Sequence, residues 1–185
     1  MSLTHALLGL LAERSLTGYE LKTVWFDRTI AHFWAADQAQ IYRTLERLTA
    51  QELVRVEAVF SPNRLPRKRY SLTAAGRAEL ASWLRTPQPS APVRDALQIQ
   101  LFCGASLTDE ELTALLTAER SAQERRRDLY RQQFAAAEAG SDDRAHRLRL
   151  LTLRRGIERA AATIAWVEEA LATVADLPSA PQRAL

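Results

Sequence analysis

The stretch QIYRTLERLTAQELVRVEAVFSPNRLPRKRYSLT, residues 40–73, decides the fold of the N-terminal half. Its first part places Ile41, Leu45 and Leu48 on one narrow stripe, which predicts an amphipathic helix. The helix is expected to begin after Asp37, a residue type that caps helices, and to run to about Gln51. Its stripe faces a core, so its other side presents small, polar and basic side chains to the surroundings.

A β-hairpin is predicted directly after this helix. Residues 53–60, LVRVEAVF, alternate apolar and polar side chains, as a half-buried strand does. SPNRLP then supplies turn residues, and RKRYSLT reads as a second strand. The two strands form a hairpin with a basic tip, which is the wing of a winged helix-turn-helix. Thr73 begins a further helix that ends before Pro87.

Two helices precede this region. Residues 3–13 carry leucines at helical spacing and predict an amphipathic helix. Thr17 and Glu20 stand at the spacing of a capping box, so a second helix is expected to begin at Thr17 and to carry Tyr19 with the apolar residues that follow. The first half therefore predicts three helices and a two-stranded wing, a winged helix-turn-helix domain over residues 1–86.

The second half is predicted to be helical. Three prolines in TPQPSAP mark a linker at 87–93, followed by a helical domain at 94–176 and a flexible tail at 177–185. A short helix, DALQIQLFCG, precedes a long one that begins at the capping box of Thr108 and Glu111 and runs to about Ala139. After Gly140 a second long helix runs to about Ala175. The fold class is therefore mainly α, with a winged helix-turn-helix followed by two long helices.

The last helix carries an apolar heptad. Eight apolar residues are spaced alternately by three and four positions, as in a coiled coil: Leu150, Leu153, Ile157, Ala160, Ile164, Val167, Leu171 and Val174. This pattern fits either a hairpin private to one chain or a contact with a second copy. We favour the second, because a two-helix hairpin of this length buries only part of its apolar surface alone. The expected dimer interface is Leu150, Leu153, Ile157, Ile164, Val167, Leu171 and Val174.

Charge is unevenly distributed in this chain. The net charge is only +3, yet residues 41–70 hold seven basic and three acidic side chains. A local basic patch of this kind attracts a phosphate backbone, although a solvated arginine face is an equal alternative. One cysteine excludes an intrachain disulfide, and neither a membrane span nor a signal peptide is apparent. A cytoplasmic protein is the expectation.

Chemistry typical of an enzyme is not found in the sequence. The three histidines are scattered, and there is neither a phosphate-binding glycine loop nor a nucleophile motif. We therefore expect no enzymatic activity, no metal and no cofactor. Cys103 is interpreted as a small buried hydrophobe rather than as a redox sensor.

Three blocks resemble the PadR family of bacterial winged-helix regulators: ALLGLLAERSLTGYEL at 6–21, QIYRTLERLTAQELV at 40–54 and KRYSLTAAGRAELASWL at 68–84. The second half is similar to the virulence-activator branch of that family, which implies a long antiparallel helical dimerisation arm. Two positions depart from the family pattern. Arg43 stands where many members have Pro. Glu52 stands where many have a helix-ending Gly, so we expect that helix to end differently.

The resemblance implies a homodimer that binds a pseudo-palindromic operator in double-stranded DNA and regulates transcription. Gln38, Gln40 and Arg43 lie in the first turns of the reading helix, where side chains reach base edges. Tyr42 and Arg47 are expected at phosphates. In the wing, Arg64, Arg67 and Lys68 are expected at phosphates or in the minor groove, and Arg69 is expected to point inward to a carboxylate.

A small aromatic effector is a further expectation. The family resemblance suggests an aromatic-lined cavity, for which Trp25, Trp34, Phe102 and Trp166 are the candidates, although tryptophans at helical spacing are more often core residues. Another function, a coiled-coil adaptor that binds protein without binding DNA, would explain the long helices. It leaves the basic hairpin unexplained.

Overall fold

The structure, a computed structural model, describes residues 2–31, 33–61, 64–89, 94–138, 140 and 143–178. It divides into two compact units, Met1–Ser90 and Ala91–Leu185. The division falls inside the segment expected to be a linker, 87–93, of which only 87–89 belong to the described residues. Of the expected tail, 177–185, only residues 177 and 178 are described.

The first unit is a small helical domain with a three-stranded antiparallel sheet. Its strands are ordered β1-β3-β2. The elements in chain order are α1 (Ser2–Glu13), β1 (Leu16–Thr17), α2 (Gly18–Glu20, continued by a π-helix at Leu21–Thr29), α3 (Gln38–Ala50), β2 (Val54–Ser61), β3 (Arg64–Leu72) and α4 (Ala74–Arg85).

The core of this unit lies where α1 and α3 meet the sheet. Ile41, Leu45 and Leu48, the stripe predicted for α3, are fully buried. Leu7 and Leu8 of α1 belong to the same cluster and are fully buried as well. Burial of each such side chain contributes roughly 1.5–3 kcal/mol, so this contact fixes the orientation of α3 and leaves its polar side outward.

The predicted caps of α2 and α3 are present. The Glu20 amide donates to the Thr17 hydroxyl at 3.1 Å, and the Thr17 amide donates to the Glu20 carboxylate at 2.7 Å. Asp37 and Gln40 form the same reciprocal pair at the start of α3. Each box satisfies amide groups that a helix leaves without intrahelical partners.

The second helix is less regular than predicted. Only Gly18–Glu20 is α-helical, and Leu21–Thr29 is wound as a π-helix. The Ile30 amide donates to the Trp25 carbonyl, five residues back, and the Thr29 hydroxyl donates to the Val24 carbonyl. The wider winding keeps Leu21 and Phe26 buried.

The hairpin is longer than predicted. Both strands extend into the segment that was expected to form the turn, so that Ser61 pairs with Arg64. The register is irregular between Val59 and Ser61. The two residues between the strands, Pro62 and Asn63, lie outside the described residues, as do the side chains of residues 60–61 and 64–66.

The second unit is entirely helical over its described residues. It contains α5 (Ala96–Phe102), a 3₁₀ turn (Gly104–Ser106), α6 (Asp109–Glu138) and α7 (Arg144–Ala175). The capping box predicted at Thr108 and Glu111 is present at the start of α6. We call the antiparallel pair α6 and α7 the arm. Tyr130 of α6 packs on Gly156 of α7, where an added Cβ would lie 3.0 Å from its ring.

The apolar heptad of α7 packs inside the arm. Val167 is fully buried and shares a cluster with Leu112 and Leu116 of α6. Ile164 and Val174 are also buried. Within one chain Val167 and Val174 therefore pack against α6, and the place of the heptad in a dimer interface stays a prediction. The other members expected at a dimer interface, Leu150, Leu153, Ile157 and Leu171, are half-buried.

Cys103 also differs from its expected environment. Its thiol is free and the residue is exposed. It ends α5 as the C-cap residue, so it does not lie on a buried helical stripe. No helix in the described part of the chain is both long and apolar enough to cross a bilayer.

Candidate nucleic-acid interface

The outer side of α3 presents the side chains predicted to read DNA. Gln38, Gln40 and Arg43 are exposed in its first two turns. The buried stripe on the opposite side holds the helix against α1. Amide and guanidinium groups are therefore displayed on a rigid element, which is what base recognition requires.

Tyr42 occupies a position that only glycine at residue 18 permits. A Cβ added to Gly18 would lie 2.5 Å from the Tyr42 ring and 2.9 Å from its hydroxyl oxygen. These separations are shorter than van der Waals contact, so any side chain at residue 18 displaces the ring. The half-buried tyrosine thus rests on the first turn of α2 and is fixed by it.

A groove forms around this contact, and we call it the Tyr42 groove. It encloses about 500 Å³ and receives residues from β1, α2, α3 and β3. Its lining is Thr17, Gly18, Tyr19, Tyr42, Arg67 and Lys68. Two hydroxyl-bearing rings and two cations converge here on one concave surface. A phosphate fits this combination of hydrogen-bond donors and positive charge.

Tyr70 interacts electrostatically with Tyr42, one of the residues that line the groove. It is buried in β3, and burial is the main cause that raises the pKa of its phenol above the ordinary value. Tyr42 and Glu46 raise that pKa further. The two tyrosines are therefore close enough to interact, and Tyr70 stays neutral.

Arg69 points inward, but its hydrogen-bond partner is not the carboxylate that we predicted. Its guanidinium donates to the Ser15 carbonyl at 3.1 Å. The backbone hydrogen bond from Thr17 is the largest cause that lowers the pKa of Glu20, and the charge of Arg69 lowers it too. Arg69 therefore ties β3 to the segment before β1, and among the described side chains of β3 the exposed cations are Arg67 and Lys68.

Two predicted contact residues already have partners in the folded chain. An Arg47 guanidinium nitrogen donates to the Thr4 hydroxyl at 2.7 Å. The Gln40 side chain accepts from the Asp37 amide at 3.3 Å. Each retains polar atoms for a further contact, but its position is set by the protein. The side chain of Arg64 lies outside the described residues.

A second concavity, the Trp34 cleft, lies beside the outer side of α3. It encloses about 550 Å³ and is lined by Leu3, Trp34, Ala35, Gln40, Arg43, Thr44 and Arg47. Trp25 and Trp34 both pack against the core of the first unit. In the second unit, Phe102 is 92% exposed and Trp166 is 41% exposed. The four aromatic candidates thus occupy two different units.

Tyr19 and Gly18 were not among the predicted contact residues. The sequence suggested that Tyr19 belongs with the apolar residues of the second helix, but it is 64% exposed and lines the Tyr42 groove. The Gly-Tyr pair directly after the cap residue was the available signal. An exposed aromatic ring at the first turn of a helix has no core to fill.

Four helices and a three-stranded sheet whose β2–β3 hairpin forms the wing define a winged helix-turn-helix protein, here with a helical arm in a second unit. Residues 7–82 match the transcriptional regulator PadR-like family, and residues 93–175 match the virulence activator alpha C-terminal family. The chain is 34% identical over 190 residues to the probable transcriptional regulator Rv1176c of Mycobacterium tuberculosis, covering 91% of this chain and 95% of that protein.

Solved structures resemble the chain over nearly its whole length. Bacillus subtilis PadR in complex with operator DNA has a TM-score of 0.84 at 28% identity, covering 94% of this chain and 99% of that one. The same protein with p-coumaric acid has a TM-score of 0.79, covering 95% and 100%. The Vibrio cholerae virulence activator AphA has a TM-score of 0.76 at 32% identity, covering 94% and 98%.

This chain belongs to the PadR-like family of transcriptional regulators. The predicted family and the mainly helical winged fold are thereby confirmed.

Proposed function

We propose that this regulator binds operator DNA as a homodimer through α3, the Tyr42 groove and the wing, and that a small aromatic molecule releases it. The observation that carries the proposal is the convergence of Tyr42, Arg67 and Lys68 in one groove beside the polar side of α3. A related protein, Bacillus subtilis PadR, was solved with operator DNA.

Each part of this surface has a distinct role in the proposal. Gln38 and Arg43 read base edges, because amides pair with adenine and guanidinium groups with guanine. Tyr42, Arg67 and Lys68 hold a phosphate and set the register of α3 on the duplex. Arg47 and Gln40 contribute from fixed positions, and Arg64 extends the basic wing.

The homodimer is supported by apolar surface on the second unit. Among the described residues of this unit, seven large apolar ones are exposed: Ile99, Phe102, Leu129, Leu148, Leu151, Trp166 and Leu177. Exposed apolar residues in this number favour an interaction site in a protein that functions in water. Two copies present two reading helices, which fits a pseudo-palindromic operator.

The proposed effector is a small aromatic molecule. Bacillus subtilis PadR was solved with p-coumaric acid, which combines an aromatic ring and a carboxylate. Trp34 beside Arg43 and Arg47 offers matching chemistry in the first unit. Trp25, Phe102 and Trp166 remain candidates.

The test of DNA binding uses duplexes selected from the DNA upstream of the chain's own gene. Affinity is measured by fluorescence anisotropy at several salt concentrations. Arg67→Glu with Lys68→Glu should weaken binding and flatten the plot of log affinity against log salt by about 0.9 for each lost phosphate contact.

The matched control reverses charge elsewhere on the same unit. Arg85→Glu in the last turn of α4 changes an exposed arginine that is not in the groove. It should leave most of the affinity and the slope intact. Equal losses in both variants would remove the groove from the proposal.

A further inference from the structure

The π-helix that follows α2 brings together two charges that a regular α-helix would separate. Lys22 and Asp27 are five residues apart in the sequence. In an α-helix their side chains would point in directions that differ by about 140°. A π-helix is wound more widely, with hydrogen bonds between residues five apart, and here the two side chains form an ion pair. The winding of Leu21–Thr29 therefore permits this ion pair.

The Lys22 ammonium also holds the segment that leads into α3. It donates to the Ala36 carbonyl at 3.1 Å. Ala36 is buried, lies outside any helix or strand and directly precedes Asp37, the residue that caps α3. A buried carbonyl without a partner costs free energy, so this hydrogen bond fixes the backbone at the point where α3 begins.

The anchored point lies close to the residues that the proposed function assigns to base reading. Gln38 follows Ala36 by two residues, and Arg43 follows it by seven. At a rise of about 1.5 Å per residue, both lie within roughly 10 Å of the anchor along α3. Hydrogen bonds to base edges require donor–acceptor distances within a range of about 0.5 Å. A small shift at the start of α3 would therefore move these two side chains out of reach.

The Lys22 side chain is directed toward the protein. It is 25% exposed, and two of the three hydrogens that its ammonium can donate have acceptors within the chain. Arg28 belongs to the same π-helix but is exposed, and among the described residues it forms no ion pair. The two cations of this segment thus carry the same charge and differ in their contacts.

We infer that Lys22, oriented by Asp27, is a positioning residue for DNA recognition, because it fixes the start of α3 and thereby the side chains that read bases. The inference rests on the proposed function and adds to it a residue outside both α3 and the wing. Lys22 makes no contact with DNA in this role, which distinguishes it from Arg67 and Lys68 in the Tyr42 groove.

The test compares two duplexes by fluorescence anisotropy. One is an operator duplex selected from the DNA upstream of the chain's own gene, and the other is a scrambled duplex of the same length and composition. Lys22→Met removes the ammonium and keeps an unbranched side chain. The ratio of operator affinity to scrambled-duplex affinity should fall about fivefold or more. The slope of log affinity against log salt should not change, because no phosphate contact is lost.

Two further variants of cations serve as references. Lys22→Arg restores a charged donor and should recover most of the affinity ratio. Arg28→Met removes the same charge from the same π-helix and should leave the ratio nearly unchanged. Equal ratios for Lys22→Met and Arg28→Met would overturn the inference. So would a slope that is flattened by about 0.9 in Lys22→Met, since that is the effect of a lost phosphate contact.

Asp27→Ala separates positioning from a general effect of charge, because the two predict opposite signs. Loss of an acidic group makes the chain more positive, which by itself should strengthen binding to any duplex. Loss of the group that orients Lys22 should weaken binding to the operator. We therefore expect the affinity ratio to fall while affinity for the scrambled duplex does not. An unchanged or higher ratio in Asp27→Ala would contradict the role of the ion pair.

A double-mutant cycle shows whether Lys22 acts through α3. Gln38→Ala should lower operator affinity in the unchanged chain and much less in Lys22→Met, because the displaced amide no longer reaches its base. Arg67→Ala is the comparison and should cost the same in both backgrounds. Additive losses for Gln38→Ala would reject the positioning role alone. An unchanged chain that binds both duplexes equally would reject the proposed function as well.

Discussion

Glu52 adopts a backbone conformation that favours glycine. Its φ is 57°, and it is the sole non-glycine residue with a positive φ in the described chain. The Leu53 amide donates to the Leu48 carbonyl, and the Glu52 amide donates to the Thr49 carbonyl. This is the hydrogen-bond pattern of a Schellman motif, in which the left-handed residue is usually Gly. The helix therefore ends in a motif that Gly usually forms, contrary to our expectation, and with strain at Glu52.

Replacing Glu52 by Gly should relieve that strain. A left-handed conformation costs a residue with a Cβ roughly 1–2 kcal/mol, partly offset by the greater freedom of Gly in the unfolded chain. We expect Glu52→Gly to raise the free energy of unfolding by about 0.5–1 kcal/mol, measured by urea denaturation. Gln51→Gly is the control, since Gln51 has a φ of −87°. A loss of stability in Glu52→Gly would contradict the strain.

Gly18 controls the position of Tyr42 through a contact that is remote in sequence. Gly18→Ala places a methyl group 2.5 Å from the Tyr42 ring, so the ring must move out of its groove. Within the proposed function, DNA affinity should fall about tenfold or more, a loss comparable to one charge-assisted contact. Tyr42→Phe keeps the ring and removes the hydroxyl, so it should cost less. If Gly18→Ala binds as tightly as the unchanged chain, Tyr42 does not position DNA.

At the scale of elements, the first turn of α4 packs closely against the backbone of the residue that precedes the hairpin. A Cβ added to Gly76 would lie 2.1 Å from the Leu53 carbonyl oxygen, which belongs to the backbone and yields little. We expect Gly76→Ala to lower the free energy of unfolding by about 1–3 kcal/mol, the usual range for overpacking. Thermal or urea unfolding measures it.

Gly9 supplies the opposite case in α1. An added Cβ there meets nothing within 4 Å. Gly9→Ala should therefore raise the free energy of unfolding by roughly 0.5–1 kcal/mol, because Ala loses less conformational freedom in a helix. If Gly9→Ala and Gly76→Ala changed the free energy of unfolding in the same way, the close contact of Gly76 with the Leu53 carbonyl would not limit the packing of α4.

The cap of α2 gives a pH dependence. The pKa of Glu20 is lowered from 4.5, mainly by the Thr17 amide, so the ionised carboxylate stabilises the folded state. That contribution is fully present above the unfolded pKa and is lost as pH falls through the folded pKa. Glu20→Gln should therefore be less stable than the unchanged chain at pH 7, and the gap should narrow below pH 4.5. If the difference in stability between Glu20→Gln and the unchanged chain did not vary with pH, the charge of Glu20 would not stabilise the folded state in this way.

Local signals in the sequence predicted the elements well, and contacts between elements poorly. The caps at Thr17, Asp37 and Thr108 were predicted because a capping box involves only four consecutive residues. The π-helix after Glu20 was not predicted, since it depends on burying Leu21 and Phe26 against other elements. Tyr19 was wrongly grouped with the apolar residues of the second helix, because its exposure also depends on how that helix packs against other elements.

At the scale of the whole molecule, the heptad shows where sequence reasoning reaches its limit. The spacing of the α7 residues indicates that they pack against a helix, but not whether that helix belongs to the same chain. The structure shows that α6 of the same chain covers Val167. The opposite face of α7 mixes Leu148, Leu151 and Trp166 with polar residues and is exposed in the single chain. A mixed face has weaker periodicity, so it was not predicted.

In the proposed dimer, the distance between the two reading helices determines the spacing of the operator half-sites. Two reading helices joined through their arms should fit half-sites whose centres lie about 34–36 Å apart or a multiple of that, on one side of the duplex. Inserting five base pairs between the half-sites turns one of them to the far side, so affinity should fall sharply. Inserting ten returns it to the same side and should restore part of the affinity, limited by how far the arms can yield.

Anisotropy measurements on the three duplexes check this, with a half-site alone as reference. Equal affinity for all three spacings would mean that each copy binds independently, because a rigid dimer cannot follow a half-site around the helix.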